Sequence, residues 1–276
     1  MELDDDFFAR VGHDLRGELA TMLAGVHYLL RYEKRIEPGT REMLERVRGA
    51  GERLRRLLDE FDHAVWLRVD PRRPMAMAAC DAVELVQSAA GRLEEAAAAR
   101  GVRLVVEREL GEAEAAIQGD AELLAVALDY VIGFAITRSR DLPVRVQVTA
   151  RDGAPAAVVT DEGGSVPREG VERLLEPFAE RAAISPDPIA PRRRDRLGLG
   201  LAIARGILEA HGGALQVELD PGGAGAAPAP PGPDPLPPDE PGGAAAEPGP
   251  PPSTPGGLRF TCTLGPSAQS EGHKPG

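Results

Sequence analysis

The sequence predicts an α+β protein, in which an N-terminal antiparallel helical hairpin precedes a mixed-sheet domain with its helices on one face. Three observations carry this expectation. Apolar residues recur at steps of three and four through residues 1–70, the period of amphipathic helices. Between residues 75 and 266 helical and alternating stretches intermingle without a regular βαβ repeat, which favours a single mixed sheet over a doubly wound one. A Pro/Gly/Ala-rich stretch, Pro221 to Gly256, then stands between two alternating runs, the pattern of a loop inserted into a hairpin.

The first helix is read from Leu3, Phe7, Val11, Leu15, Leu19, Met22, Val26 and Leu29, with Asp4, Asp5 and Asp6 near its first turn, where negative charge is favoured. Pro38-Gly39 breaks that pattern, and a second stripe follows at Met43, Val47, Ala50, Leu54, Leu57, Phe61 and Val65, ending before Pro71 and Pro74. Two helices with long single stripes leave a face of each uncovered, so the hairpin is expected to pair with a second copy as a four-helix bundle, making the protein a homodimer. Further on, helices are expected at 81–99, 121–137 and 199–210, and strands at 102–106, 144–149, 156–160, 214–219 and 258–264. The domain organisation is therefore 1–70 for the hairpin and 75–266 for the second domain, with 221–256 as a disordered insertion and 267–276 as a frayed tail.

With 276 residues the chain is long enough for two modest cores. A formal charge of -12, from 44 acidic against 32 basic residues, excludes a protein that holds nucleic acid by neutralising phosphates along its whole surface. Cys80 and Cys262 have no CxxC spacing and no neighbouring His, so neither a disulfide framework nor a metal site is read. The acidic start is the wrong sign for a signal peptide, and the longest apolar stretch, Leu123 to Ile136, is short and broken by Asp129. No membrane segment is expected, and the expected location is the cytoplasm.

His13 lies near the middle of the first helix. At roughly 100° per residue it points almost directly away from the stripe through Val11, Leu15 and Leu19, into water. An imidazole held there is a poor core element and a usable nucleophile, and Asp14 beside it would orient or deprotonate the ring. His27 falls on the same outer face.

The run Phe7-Phe8-x-x-Val11-Gly12-His13-Asp14-Leu15-Arg16 resembles the phosphoacceptor box of two-component sensor histidine kinases. The resemblance extends through the next domain. Asp120 with Leu124 and Leu128 is similar to the start of that family's ATP-binding helix, Asp161-Glu162-Gly163-Gly164-Ser165-Val166-Pro167 to its adenine-side loop, and Leu175-Glu176-Pro177-Phe178 to its short aromatic box. Leu197-Gly198-Leu199-Gly200-Leu201-Ala202-Ile203, with Glu209-Ala210-His211-Gly212-Gly213 after it, resembles the phosphate-side glycine motif and its turn. The resemblance implies a dimerisation and phosphotransfer hairpin, a GHKL-type ATPase-like domain, His13 and Asp14 as the catalytic pair, and Asp161, Gly163, Gly198 and Gly200 as a remnant nucleotide site.

Several positions depart from the family. Its two Asn residues on the ATP-binding helix, the second a magnesium ligand, align with Tyr130 and Phe134; Ser165 and Arg196 stand where glycines are usual, and Gly17-Glu18 where a hydroxyl or amide residue and Pro are usual. Phe134 offers no oxygen to a metal that demands near-octahedral oxygen ligands, and side chains in such loops obstruct the approach of backbone N–H groups to phosphate. Arg192, Arg193, Arg194 and Arg196 form a basic run beside the phosphate-side motif. The expected function is thus a degenerate histidine kinase that passes phosphoryl groups through His13 to and from response-regulator receiver domains, with no cofactor and no metal. The alternatives are an active ATP-dependent kinase using ATP and magnesium, and a non-catalytic dimeric scaffold.

Overall fold

The structure is a computed structural model and describes residues 5–33, 35–69, 75–111, 114–139, 142–163, 166, 168–179, 198–220 and 257–265. The basic run at 192–196, Ser165, and the 221–256 and 267–276 segments lie outside the described residues.

Two long helices open the chain, α1 (Asp5–Tyr32) and α2 (Pro38–Val69). Pro38 begins α2 instead of breaking it: at the first helical position its missing N–H is no loss, and the turn falls before it. The two helices pack antiparallel along a face that differs from the predicted stripe. A Cβ on Gly51 would press on Leu23 and Leu19, one on Gly12 would meet Asp62, and Arg41 Nη1 reaches the Leu30 carbonyl at 3.4 Å. The contact row on α1 thus runs through Gly12, Arg16, Leu19, Leu23 and Leu30, rotated by roughly 100° from the stripe's centre. Val11, Leu15, Met22 and Leu29 of α1, and Met43, Val47 and Leu54 of α2, are left exposed.

The second domain contains β1 (Ala78–Asp81), α3 (Ala82–Ala98), β2 (Leu104–Arg108), β3 (Ala116–Gly119), α4 (Ala121–Arg138), β4 (Val144–Arg151), β5 (Ala154–Asp161), α5 (Arg168–Arg173), α6 (Gly200–Ala210), β6 (Ala214–Leu219) and β7 (Leu258–Thr263). Aspartates start the two main helices. Asp81 accepts from the N–H groups of Val83 (2.7 Å) and Glu84 (3.1 Å), and Asp120 from those of Glu122 and Leu123 (both 3.2 Å), pairing donors that a helix leaves open.

The main sheet has the order β2-β4-β5-β7-β6, with β2 parallel to β4 and the other pairs antiparallel. Where one sheet was expected there are two: β1 and β3 form a separate antiparallel pair, Ala78 opposite Gly119. Val144, Val146 and Val148, Ala157 and Val159, and Leu258, Phe260 and Cys262 turn inward at alternate positions, joining Leu124, Leu128, Ile132, Leu201 and Ile207 of the helices in one core. α2 reaches this domain at its C-terminal end, where Leu67 packs against Gly206 of α6.

Candidate functional site

His13 sits on α1 with its side chain 85% exposed, and Nδ1 lies 3.4 Å from Asp14 Oδ1. The structure therefore places the predicted pair together in water, on the side of α1 away from the exposed apolar row. Gly12 lets the two helices close in just before it, since a Cβ there would strike Asp62. Arg16, the last residue of the box, crosses the hairpin to an ion pair with Asp62 and lies 3.5 Å from Asp59. This pair fixes the register of α1 on α2 one turn from the histidine.

The second cluster lies where α4 ends against β5. Asp161 has no exposed surface. Its Oδ2 accepts from Arg138 Nε at 3.1 Å, and its Oδ1 from the N–H groups of Gly163 at 2.9 Å and Leu258 at 3.3 Å. Burial pushes the Asp161 carboxyl above the usual carboxylate range, while Arg138 and the two N–H groups draw it back. A Cβ on Gly163 would stand 2.9 Å from the Arg138 carbonyl oxygen, so the loop after β5 runs directly against the end of α4.

Phe134 is enclosed in the core, its ring edge-on to Phe260 at 5.7 Å. Tyr130, one turn earlier, turns toward the hairpin, and its hydroxyl lies 3.0 Å from Nδ1 of His63 on α2. Gly198 has φ 83°, a left-handed conformation that favours glycine, and its carbonyl accepts from the Phe178 N–H at 2.7 Å. Gly200 is the first residue of α6, whose start has no side-chain cap. At the other end of α6, His211 bonds the Ile207 carbonyl through Nδ1 (2.7 Å) and accepts the Asp120 N–H at Nε2 (3.0 Å), joining the end of α6 to the start of α4.

Residues 118–265, more than half of the chain, match the family described as histidine kinase-, DNA gyrase B- and HSP90-like ATPases. The chain belongs to this family. Among curated relatives, sensor protein IrlS of Burkholderia pseudomallei is 29% identical over 217 residues, covering 78% of this chain and 44% of that protein. Sensor protein DivL of Caulobacter vibrioides is 31% identical over 225 residues, covering 80% and 27%. Full-length ShkA, solved in complex with AMPPNP, superposes with a TM-score of 0.64 at 20% identity, over 96% of this chain and 47% of that one. The chain thus spans less than half the length of these relatives. It contains the transmitter region of a two-component sensor histidine kinase, with the ATPase-type fold after N-terminal helices.

Local sequence pattern does not single out Arg138 and Ser139 of that ATPase fold, nor His63 of α2. A basic residue closing a helix whose stretch Ala125 to Ile136 carries Asp129 as its one charge was the available signal for Arg138. Its partner lies 23 positions on and that of His63 lies 67 positions on, so neither pairing is written in local pattern. Among the described residues no group of three or more His, Cys, Asp or Glu is poised for a metal, and no helix is long and apolar enough to cross a membrane.

Proposed function

We propose that this chain is a histidine phosphotransfer protein, a histidine-kinase relative whose His13 takes phosphoryl groups from response-regulator receivers and returns them, without ATP as donor. The observation that carries this reading is a contrast. His13 is open to solvent beside Asp14, whereas Asp161, the position that resembles the family's adenine acceptor, is enclosed and engaged by Arg138.

The residues on α4 and β5 do not fit ATP with magnesium. The carboxylate is engaged by three donors from its own chain, and Phe134 supplies a buried hydrocarbon ring where an oxygen ligand is expected. No step is therefore routed through nucleotide. In the Nδ1–H tautomer, Asp14 accepts the ring proton's hydrogen bond and the Nε2 lone pair faces outward. Nε2 attacks the phosphorus of an aspartyl phosphate in line with the P–O bond to the receiver. The N–P bond forms as that P–O bond breaks, the receiver side chain leaves as carboxylate, and the positive charge gained by the ring is held by Asp14. Return to a second receiver is the same path reversed.

Dimerisation through the exposed rows of α1 and α2 belongs to this reading, and two free thiols, Cys80 and Cys262, support a cytoplasmic place for it. The expected outcome with radiolabelled ATP and magnesium is no label on the pure protein. With phosphorylated receivers, wild type becomes labelled and His13→Gln does not. Autophosphorylation from ATP would select the kinase reading, and equal labelling of the variant would select the scaffold.

A further inference from the structure

The last turn of α4 holds a group that an apolar core does not call for. The Arg138 side chain is 3% exposed and Asp161 0%, and a hydrophobic pair of like volume would serve stability at least as well. Beside Arg138, Ser139 Oγ is enclosed with no hydrogen-bond partner among the described residues. Buried hydroxyls are nearly always paired, so an orphan next to an enclosed carboxylate marks a place shaped for something polar. Among the described residues the two parts pack closely, since Gly163 leaves no room for a methyl group against the Arg138 carbonyl.

We propose that Arg138 is the residue that closes the Asp161 site, its guanidinium occupying in cis the position of an aminopurine. The two chemistries are alike at the contact. Each presents a planar N–H donor to a carboxylate oxygen, and Arg138 Nε holds Oδ2, the oxygen that the backbone N–H groups leave open. Ser139 supplies the further polar atom that a purine, or a water bridging to it, would engage. This rests on the reading that the second domain does not use ATP, and it names the residue responsible. It also predicts that Phe134→Asn alone restores no nucleotide binding: that ring lies against Phe260 in the core, while the guanidinium still fills the site.

The test is thermal unfolding of the full chain in EDTA with metal-free ADP, adenosine or methylguanidinium at millimolar concentration. Wild type is expected to be unmoved by all three. Arg138→Ala is expected to gain about 3 °C or more with adenosine, ADP and methylguanidinium, and Arg138→Ala/Asp161→Asn to gain nothing. If Arg138→Ala does not fold, Arg138→Gln, shorter and neutral but still offering an N–H to Asp161, is melted with the same probes. Stabilisation of wild type by ADP would overturn both this proposal and the reading beneath it. An inert variant beside an inert wild type would overturn the proposal alone, as would rescue by methylguanidinium without adenosine, which marks a slot shaped only for arginine.

Discussion

His63 joins α2 to α4 through Nδ1 and the Tyr130 hydroxyl, with the two rings edge to face at 5.9 Å. Burial lowers its pKa below the ordinary 6.5, with Asp59 raising it and Arg16 lowering it further. A folded-state value below the unfolded one means that the unfolded chain binds the extra proton, so stability is full above about pH 6.5 and is lost as the pH falls through that value. Melting temperatures measured from pH 7 to pH 5 should therefore fall more steeply for wild type than for His63→Gln; parallel curves would show that this histidine titrates without consequence. Gly163 gives a second test at this scale. Its φ is not in the left-handed region, so Gly163→Ala isolates the contact with the Arg138 carbonyl, a backbone atom that cannot swing aside. Denaturant unfolding should show a loss of about 1–3 kcal/mol.

In the hairpin the apolar residues divide between two duties. Leu19 and Leu23 turn to the facing helix, while Met22 at 63% exposure and Met43 at 67% turn to water. Covering those exposed rows with a second hairpin would contribute about 25 cal/mol per Å² of apolar surface buried. Sedimentation of the full chain at micromolar concentration should show a dimer, and Leu15→Glu with Met22→Glu a folded monomer; a monomeric wild type would contradict the expectation. The helices were legible because their period runs over many residues, β4, β6 and β7 because Val, Leu, Phe or Thr alternate in them, and β5 because it is a short apolar run containing Val158 and Val159. β1, four residues reading Ala-Ala-Cys-Asp, has no such alternation and exists through its pairing with β3. Pro38 was read as a stop because the same ring that ends a helix also suits its first position.

Over the whole molecule, the histidine and the nucleotide-type domain differ in how far sequence reaches. His13 and Asp14 are neighbours in the chain, so helical phase alone sets their exposure. Asp161 was legible as a motif residue, but its enclosure depends on Arg138 and on Leu258 from a strand 97 positions away. That strand is set by pairing of its start with the end of β6: Leu219 lies opposite Leu258, and Asp220 N–H bonds the Gly257 carbonyl at 2.9 Å. Asp220 and Gly257, which flank 221–256 in the sequence, are therefore neighbours, and replacing that segment by a short turn should preserve cooperative unfolding, since each doubling of loop length costs only about 0.6 kcal/mol. A large drop in melting temperature would show that the segment packs.

The central claim is that His13 relays phosphoryl groups in both directions without nucleotide, and a chase between two receivers tests it most directly. Protein labelled from one phosphorylated receiver is isolated and mixed with a second, unlabelled receiver and magnesium, with no ATP present. The account predicts that the label leaves His13 and appears on the aspartate of the second receiver, and that His13→Gln never carries it. Label that never reaches the wild type, or that reaches the second receiver equally well through His13→Gln, would contradict it.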